Sequence, residues 1–152
     1  MRAIAASAAT FAVLAFGAAA ESTAQSVAQS VAKIDYMLEC QGCHLPDGSG
    51  SSQGSVPSLV DSVGRFVTVP GGRSFLVRVP GSAQSPLDDA RLAAVLNWMI
   101  RTFGPAQVAA TFEPYTAEEV AQHRSDPLTH VARARSELLR QLEKHSGRME
   151  KP

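Results

Sequence analysis

The stretch YMLECQGCHLPDGSG, residues 36–50, decides how the rest of the chain is read. It holds both cysteines of the 152-residue chain, Cys40 and Cys43, with His44 directly after the second. Upstream, Val31, Ile34, Tyr36, Met37 and Leu38 recur at helical spacing, so a helix over residues 31–39 leads straight into Cys40. Downstream, residues 46–58, PDGSGSSQGSVPS, are dense in Gly, Ser and Pro and read as a loop. Two thiols three positions apart on a helical turn lie on one side of it, and His44 follows on the same turn.

Cys40-Gln41-Gly42-Cys43-His44 is C-x-x-C-H, the attachment pattern of c-type haem. Each thiol can bond a vinyl group of the porphyrin, and the turn aims the His44 imidazole at iron from below the ring. Competing chemistries fit worse. A thioredoxin-like C-x-x-C belongs near a βαβ pattern, and none is legible. A structural zinc site needs four ligands, yet there is no further cysteine, and His123, His130 and His145 lie far along the chain. One covalent haem c is the expected cofactor, held by Cys40 and Cys43, with His44 as its proximal iron ligand.

The first 20 residues, MRAIAASAATFAVLAFGAAA, join Arg2 to an apolar run ending in Ala18-Ala19-Ala20, the pattern of a secretory signal peptide with a small-residue cleavage site. A periplasmic location is expected, where covalent attachment keeps a small protein from losing its haem. The run is Ala-rich and lacks the flanking charge of an anchor, so no stable membrane insertion is expected once it is removed. Basic and acidic side chains balance at 14 each, which gives no reason to expect a nucleic-acid partner.

Residues 21–30, ESTAQSVAQS, read as a linker into a domain over residues 31–104. Within it, Phe66–Val69 and Phe75–Val79 flank Pro70-Gly71-Gly72, so a hairpin competes with a short helix from about Gly72 to Val79. The clearest element runs from Leu87 to Phe103: Leu92, Val95, Leu96, Met99 and Ile100 form one stripe with Trp98 beside it, Asp88 and Asp89 mark its start, and Gly104-Pro105 its end. Residues 105–112 read as a second linker, followed by a helical C-terminal extension over 113–145 and a tail over 146–152. In the extension, Thr116-Ala117-Glu118-Glu119 reads as a capping box. Asp126-Pro127 reads as cap and first position of a final helix, with Leu128, Val131, Leu138, Leu139 and Leu142 on one face and Arg133, Arg135, Arg140 and Lys144 elsewhere. No strand pattern is convincing, and the fold class is all-α.

Over about residues 28–104 the chain resembles class I cytochrome c: Tyr36 four residues ahead of Cys40, the attachment motif, the Gly-containing loop, and Val56-Pro57-Ser58-Leu59. The resemblance implies a cytochrome c-like helical fold around a covalent haem. It further implies that the Pro57 carbonyl accepts the Nδ1 proton of His44, that Leu59 packs on the haem, and that Tyr36 packs against Trp98, with Val95 beside them, where first and last helices cross. One part of the pattern is missing. The family's second axial ligand is a methionine in the loop before the last helix, and here that loop, RVPGSAQSPL over residues 78–87, has none.

Met99 and Gln84 are the candidates for a sixth ligand, with no ligand as the third option. Met99 sits in a helical stripe, where methionine is more often core filler; Gln84 is in the loop but is a weak ligand for iron. Met37 is too close to the proximal attachment, Met149 lies in the charged tail, and His123 or His130 would have to fold back. Arg65, Arg73 and Arg78 are candidates to pair with the haem propionates. No catalytic acid, base or nucleophile constellation is visible. The expectation is therefore a carrier, not an enzyme, passing single electrons between a periplasmic dehydrogenase and a downstream acceptor, with such redox proteins as partners. An open sixth position would instead permit gas binding or reaction with peroxide, because ligand, polarity and access decide between these uses. The amphipathic tail helices are expected to wrap back on the domain and cover one of its faces, a candidate being the face that lacks the sixth ligand; a fixed cytochrome subunit of a dehydrogenase complex, docked by those helices, is the other alternative.

Overall fold

Helical periodicity carries through to the structure along most of the chain. The computed structural model describes residues 10–53 and 55–149, without the side chains of residues 10–22, 24 and 146–149, and among these every regular element is a helix. They are α1 (Thr10–Glu39), α2 (Gln41–His44), α3 (Val63–Phe66), α4 (Gly72–Arg78), α5 (Pro80–Ala83), α6 (Asp89–Phe103), α7 (Ala106–Thr111), α8 (Ala117–Arg124) and α9 (Val131–Met149). The nearest approach to a strand is a lone antiparallel bridge between Ser51 and Val56. Among the described residues no helix is long and apolar enough to cross a membrane.

The core forms where α1 crosses α6, and the crossing is aromatic. The Tyr36 ring lies 5.1 Å from Trp98 and 5.4 Å from Phe103, and Trp98 meets Phe103 edge-on at 88°. Such pairs add about 0.5–1.5 kcal/mol each beyond the area they bury. Tyr36, Val95, Leu96 and Ile100 are all buried at this contact, as the resemblance implied for Tyr36, Trp98 and Val95. Asp35 is buried next to Tyr36, and Arg91 on α6 grips both of its carboxylate oxygens, Nε to Oδ2 at 3.0 Å. A buried carboxylate is tolerated only when paired in this way, and the pair ties α1 to α6 beside the aromatic contact. Asp88 caps α6 by accepting the Arg91 N–H at 2.8 Å, which makes the acidic start signal a real one.

Several expectations need correction. Residues 21–30 are no linker: α1 runs through them, because Ala, Gln, Glu and Ser tolerate helix and the hydroxyls of Ser26 and Ser30 bond back to the carbonyls of Thr23 and Ser26. The expected leader, residues 1–20, falls on residues 1–9, which lie outside the described residues, and on the first turns of α1. After Gly71, with φ of 80°, the chain enters α4, so of the two readings of this stretch the short helix from Gly72 holds and the hairpin does not. Residues 105–112 contain α7, packed on α3 and α6. Residues 150–152 of the expected tail also lie outside the described residues, and α9 extends to Met149.

Asp126 does not cap the final helix, which begins only at Val131. Its carboxylate instead pairs with Arg78, Nη2 to Oδ2 at 2.6 Å, while the Leu128 N–H bonds to the Arg78 carbonyl at 2.8 Å. Segment 126–128 thus satisfies the C-terminal end of α4, where backbone carbonyls would otherwise lack donors. The extension folds back on the domain: α8 packs on α4 and α6, and α9 on α3 and α4. Tyr115, Val120 and Leu138 are buried in that contact.

Candidate cofactor site

Beside the crossing lies a cavity of about 750 Å³, into which the residues of the attachment motif converge. The motif folds as one tight turn: the Cys43 and His44 N–H groups both bond to the Cys40 carbonyl, at 3.2 and 3.0 Å. Leu45, with φ of 62°, ends the turn, and the Tyr36 hydroxyl donates to its carbonyl at 2.6 Å. The aromatic crossing therefore also anchors the motif. Burial, reinforced by negative charge at Cys40 and Asp47, pushes the Tyr36 phenol up to about 12, so it remains a donor. Burial, with smaller contributions from Glu39, Asp35 and Cys43, likewise pushes the Cys40 thiol up to about 11. At neutral pH it is a thiol and not a thiolate.

His44 lines the cavity with Cys40 and Cys43. Burial lowers its pKa from the ordinary value of 6.5, against a smaller opposing pull from the Pro57 carbonyl. The imidazole is thus neutral at pH 7, the form that can ligate a metal. Its Nδ1 is buried and closes no hydrogen bond of ordinary geometry, although the Pro57 carbonyl stands near enough to favour the proton.

Pro57 reaches this position through a folded loop. Gly50, with φ of 74°, donates to the His44 carbonyl at 3.1 Å, and Ser51 and Val56 exchange backbone hydrogen bonds at 2.9 Å. A Cβ on Gly50 would stand 2.5 Å from the Val56 oxygen and 2.7 Å from the Pro57 oxygen. Only glycine lets the two backbones approach so closely. Leu59, whose N–H bonds to the Gly48 carbonyl at 2.8 Å, is buried and lines the same cavity.

Of the sixth-ligand candidates, Met99 lines the cavity and is buried, whereas Gln84 ends α5, is exposed and stays outside the lining. Val79, Gly81, Ser82 and Ser85 represent that loop at the cavity, and neither His123 nor His130 reaches it. The three candidate propionate arginines are placed elsewhere. Arg73 binds both Glu119 carboxylate oxygens, at 2.7 and 2.6 Å, and stacks over Tyr115; Arg78 takes Asp126; Arg65 donates to the Asp61 carbonyl at 2.8 Å. No residue of α9 is among the expected site residues, yet that helix lines the cavity through Val131, Ala132, Arg135 and Ser136. Periodicity gives no signal for it, because Arg135 and Ser136 are polar and do not continue the apolar stripe that marks a packed face.

The donor set fits a covalently held haem. Two thiols and a neutral imidazole share one wall of a cavity that Leu59, Phe66, Phe75, Leu76, Val95 and Leu96 make largely apolar, as a flat macrocycle requires. No protein-family model matches the chain. Cytochrome c-552 of Thermus thermophilus is 33% identical over 109 residues, covering 60% of this chain and 82% of that protein. A second cytochrome c-552, from a particular strain of the same species, is 33% identical over 109 residues, covering 60% of this chain and 73% of that protein. On this similarity, which the chemistry of the cavity fits, the chain belongs to the c-type cytochromes, the electron carriers that hold haem c covalently.

Proposed function

We propose that the protein is an exported monohaem carrier that passes single electrons between a periplasmic dehydrogenase and a downstream acceptor. The observation that carries this reading is the convergence of Cys40, Cys43 and His44 on one apolar cavity. Cys40 and Cys43 would hold the porphyrin as thioethers, and His44 would ligate its iron. The Pro57 carbonyl stands near the buried His44 Nδ1, and closing that hydrogen bond would fix the imidazole tautomer and raise its basicity. Leu59 and the α6 stripe exclude water from the ring. When bound, haem supplies a one-electron couple at its iron. The leader pattern of residues 1–20 supports export, and the apolar stripe of the tail is engaged on its own domain, so docking to a dehydrogenase is not assigned to it.

A second reading, an open sixth position used to bind gas or react with peroxide, is favoured by the loop over residues 78–87, which brings serines to the cavity. The test is expression with haem-maturation machinery. Mass should equal the mature polypeptide plus one haem, with Cys40→Ser and Cys43→Ser each losing one thioether; a colourless product with bare polypeptide mass overturns the proposal. Rapid carbon monoxide binding by the ferrous protein at neutral pH would assign the open-site reading, and its absence the carrier with Met99 as the sixth ligand to be tested first.

A further inference from the structure

Haem brings two carboxylates as well as a macrocycle, and a carboxylate at a largely apolar wall needs a cation or several donors. Arg73, Arg78, Arg91, Arg124 and Arg140 each have a carboxylate within 3.0 Å and are committed to it. Arg135 differs. It is half-buried, it lines the cavity, and among the described residues no carboxylate pairs with it. Among the described lining residues the other charged side chain is Glu39, which adjoins Cys40 at the thiol end. The helix bearing Arg135 packs on α3 and α4, whereas Cys40 and Cys43 belong to the turn that follows α1, the helix packed on α6. The porphyrin has the same polarity, because its propionates project from the edge opposite the vinyl groups that the cysteines capture.

We propose that Arg135, on the C-terminal helix, pairs with a haem propionate, so that the extension forms part of the cofactor site. Val131 and Ala132, one turn earlier on the same face, cover the apolar ring beside it, and Ser136 adds a hydroxyl donor. Arg suits this role because its planar fork meets a carboxylate with two parallel hydrogen bonds. Arg135 is a positioning residue in this scheme: it acts on the electrostatics of the iron through the propionate.

This inference rests on the haem reading, so every variant is first checked by mass for covalent haem; missing haem in the unmutated protein strikes that reading and not the pairing. Arg135→Gln is expected to lower the midpoint potential of the holo-protein, since a cation nearby disfavours the more positive ferric state. Arg135→Lys should restore most of the shift. Arg133→Gln, exposed on the same helix and outside the cavity lining, should leave the potential unchanged. Arg135→Met keeps the apolar stem against the wall and carries the same expectation if the Gln variant fails to fold. An unchanged potential in the neutral variants overturns the proposal, as does a Lys variant that behaves like the Gln variant. Weakened azide binding at an unchanged potential would assign the guanidinium to an exogenous anion and overturn it equally.

Discussion

The α1–α6 crossing and the C-terminal extension are both helical and both packed on the same core, yet they are held by different physics. At the crossing, rings and aliphatic side chains meet directly, with one ion pair, Asp35 with Arg91. The extension buries Tyr115, Val120 and Leu138, but arginine forks knit it down: Arg73 to Glu119, Arg78 to Asp126, and Arg124 to Asp89 and the carbonyls of Ala83, Ser85 and Leu87. The difference follows from what lies beneath. The first contact sets Ala32 and Tyr36 of α1 against the apolar stripe of α6, with Val31, Ile34, Met37 and Leu38 of α1 left exposed, while the second lies over chain ends and turns whose carbonyls need donors.

That contrast can be broken most severely at the crossing. Trp98→Ala removes the ring that touches both Tyr36 and Phe103, and large-to-small changes of this kind cost about 3–5 kcal/mol. Because Trp98 is only partly buried, the low end of that range is expected in denaturant unfolding. The Tyr36 hydroxyl that anchors Leu45 shares this contact, so the absorbance of the attached haem should change as well. An unfolding midpoint within error of the unmutated protein would show that the crossing is not the main support of the site.

Most of the crossing was legible in the sequence, and little of the extension's attachment was. Helical period, which is local, puts Tyr36, Val95 and Trp98 on their two helices, and the resemblance to class I cytochrome c supplies their meeting. The attachment motif is equally local, with its three reactive side chains inside one turn. By contrast, Arg73 meets Glu119 across 46 positions, and nothing in either residue's neighbourhood names the other. Arg78, a sequence candidate for a propionate, faces Asp126, and Asp126 fails as a cap for the same reason: an acidic residue before proline is a local signal that a tertiary partner overrides. Periodicity leaves Arg135 off the apolar stripe of its helix, and only the docking of α9 turns it into the cavity.

A middle-sized effect separates the two kinds of attachment. Arg124 is mostly buried and donates to Asp89 at 3.0 Å, to the Leu87 carbonyl at 2.5 Å and to the Ser85 and Ala83 carbonyls. Arg124→Ala leaves those carbonyls without their donor, and hydrogen bonds of this charged kind are worth about 1.5–3 kcal/mol. A loss of about 2 kcal/mol is expected, concentrated in the extension. Amide hydrogen exchange should speed up in α8 and α9 while α1 and α6 keep their protection. Equal acceleration in all four helices would show that extension and core unfold as one unit and that the distinction drawn between them has no energetic meaning.

The smallest expected effect tests whether the extension has any helical stability of its own. Thr116 caps α8 by accepting the Glu119 N–H at 3.2 Å, and Glu118 and Glu119 place negative charge in the first turn, where the helix dipole favours it. Hydrogen bonding from its own backbone and from Thr116 lowers the Glu118 pKa, so that charge persists below the usual carboxylate range. Thr116→Ala should cost about 1 kcal/mol, felt in the exchange of the first amides of α8 and leaving the cavity untouched. If α8 instead owes its shape wholly to Val120 and the Arg73–Glu119 pair, the substitution will be silent, and the capping signal, correctly read from the sequence, will have contributed nothing to the stability of the fold.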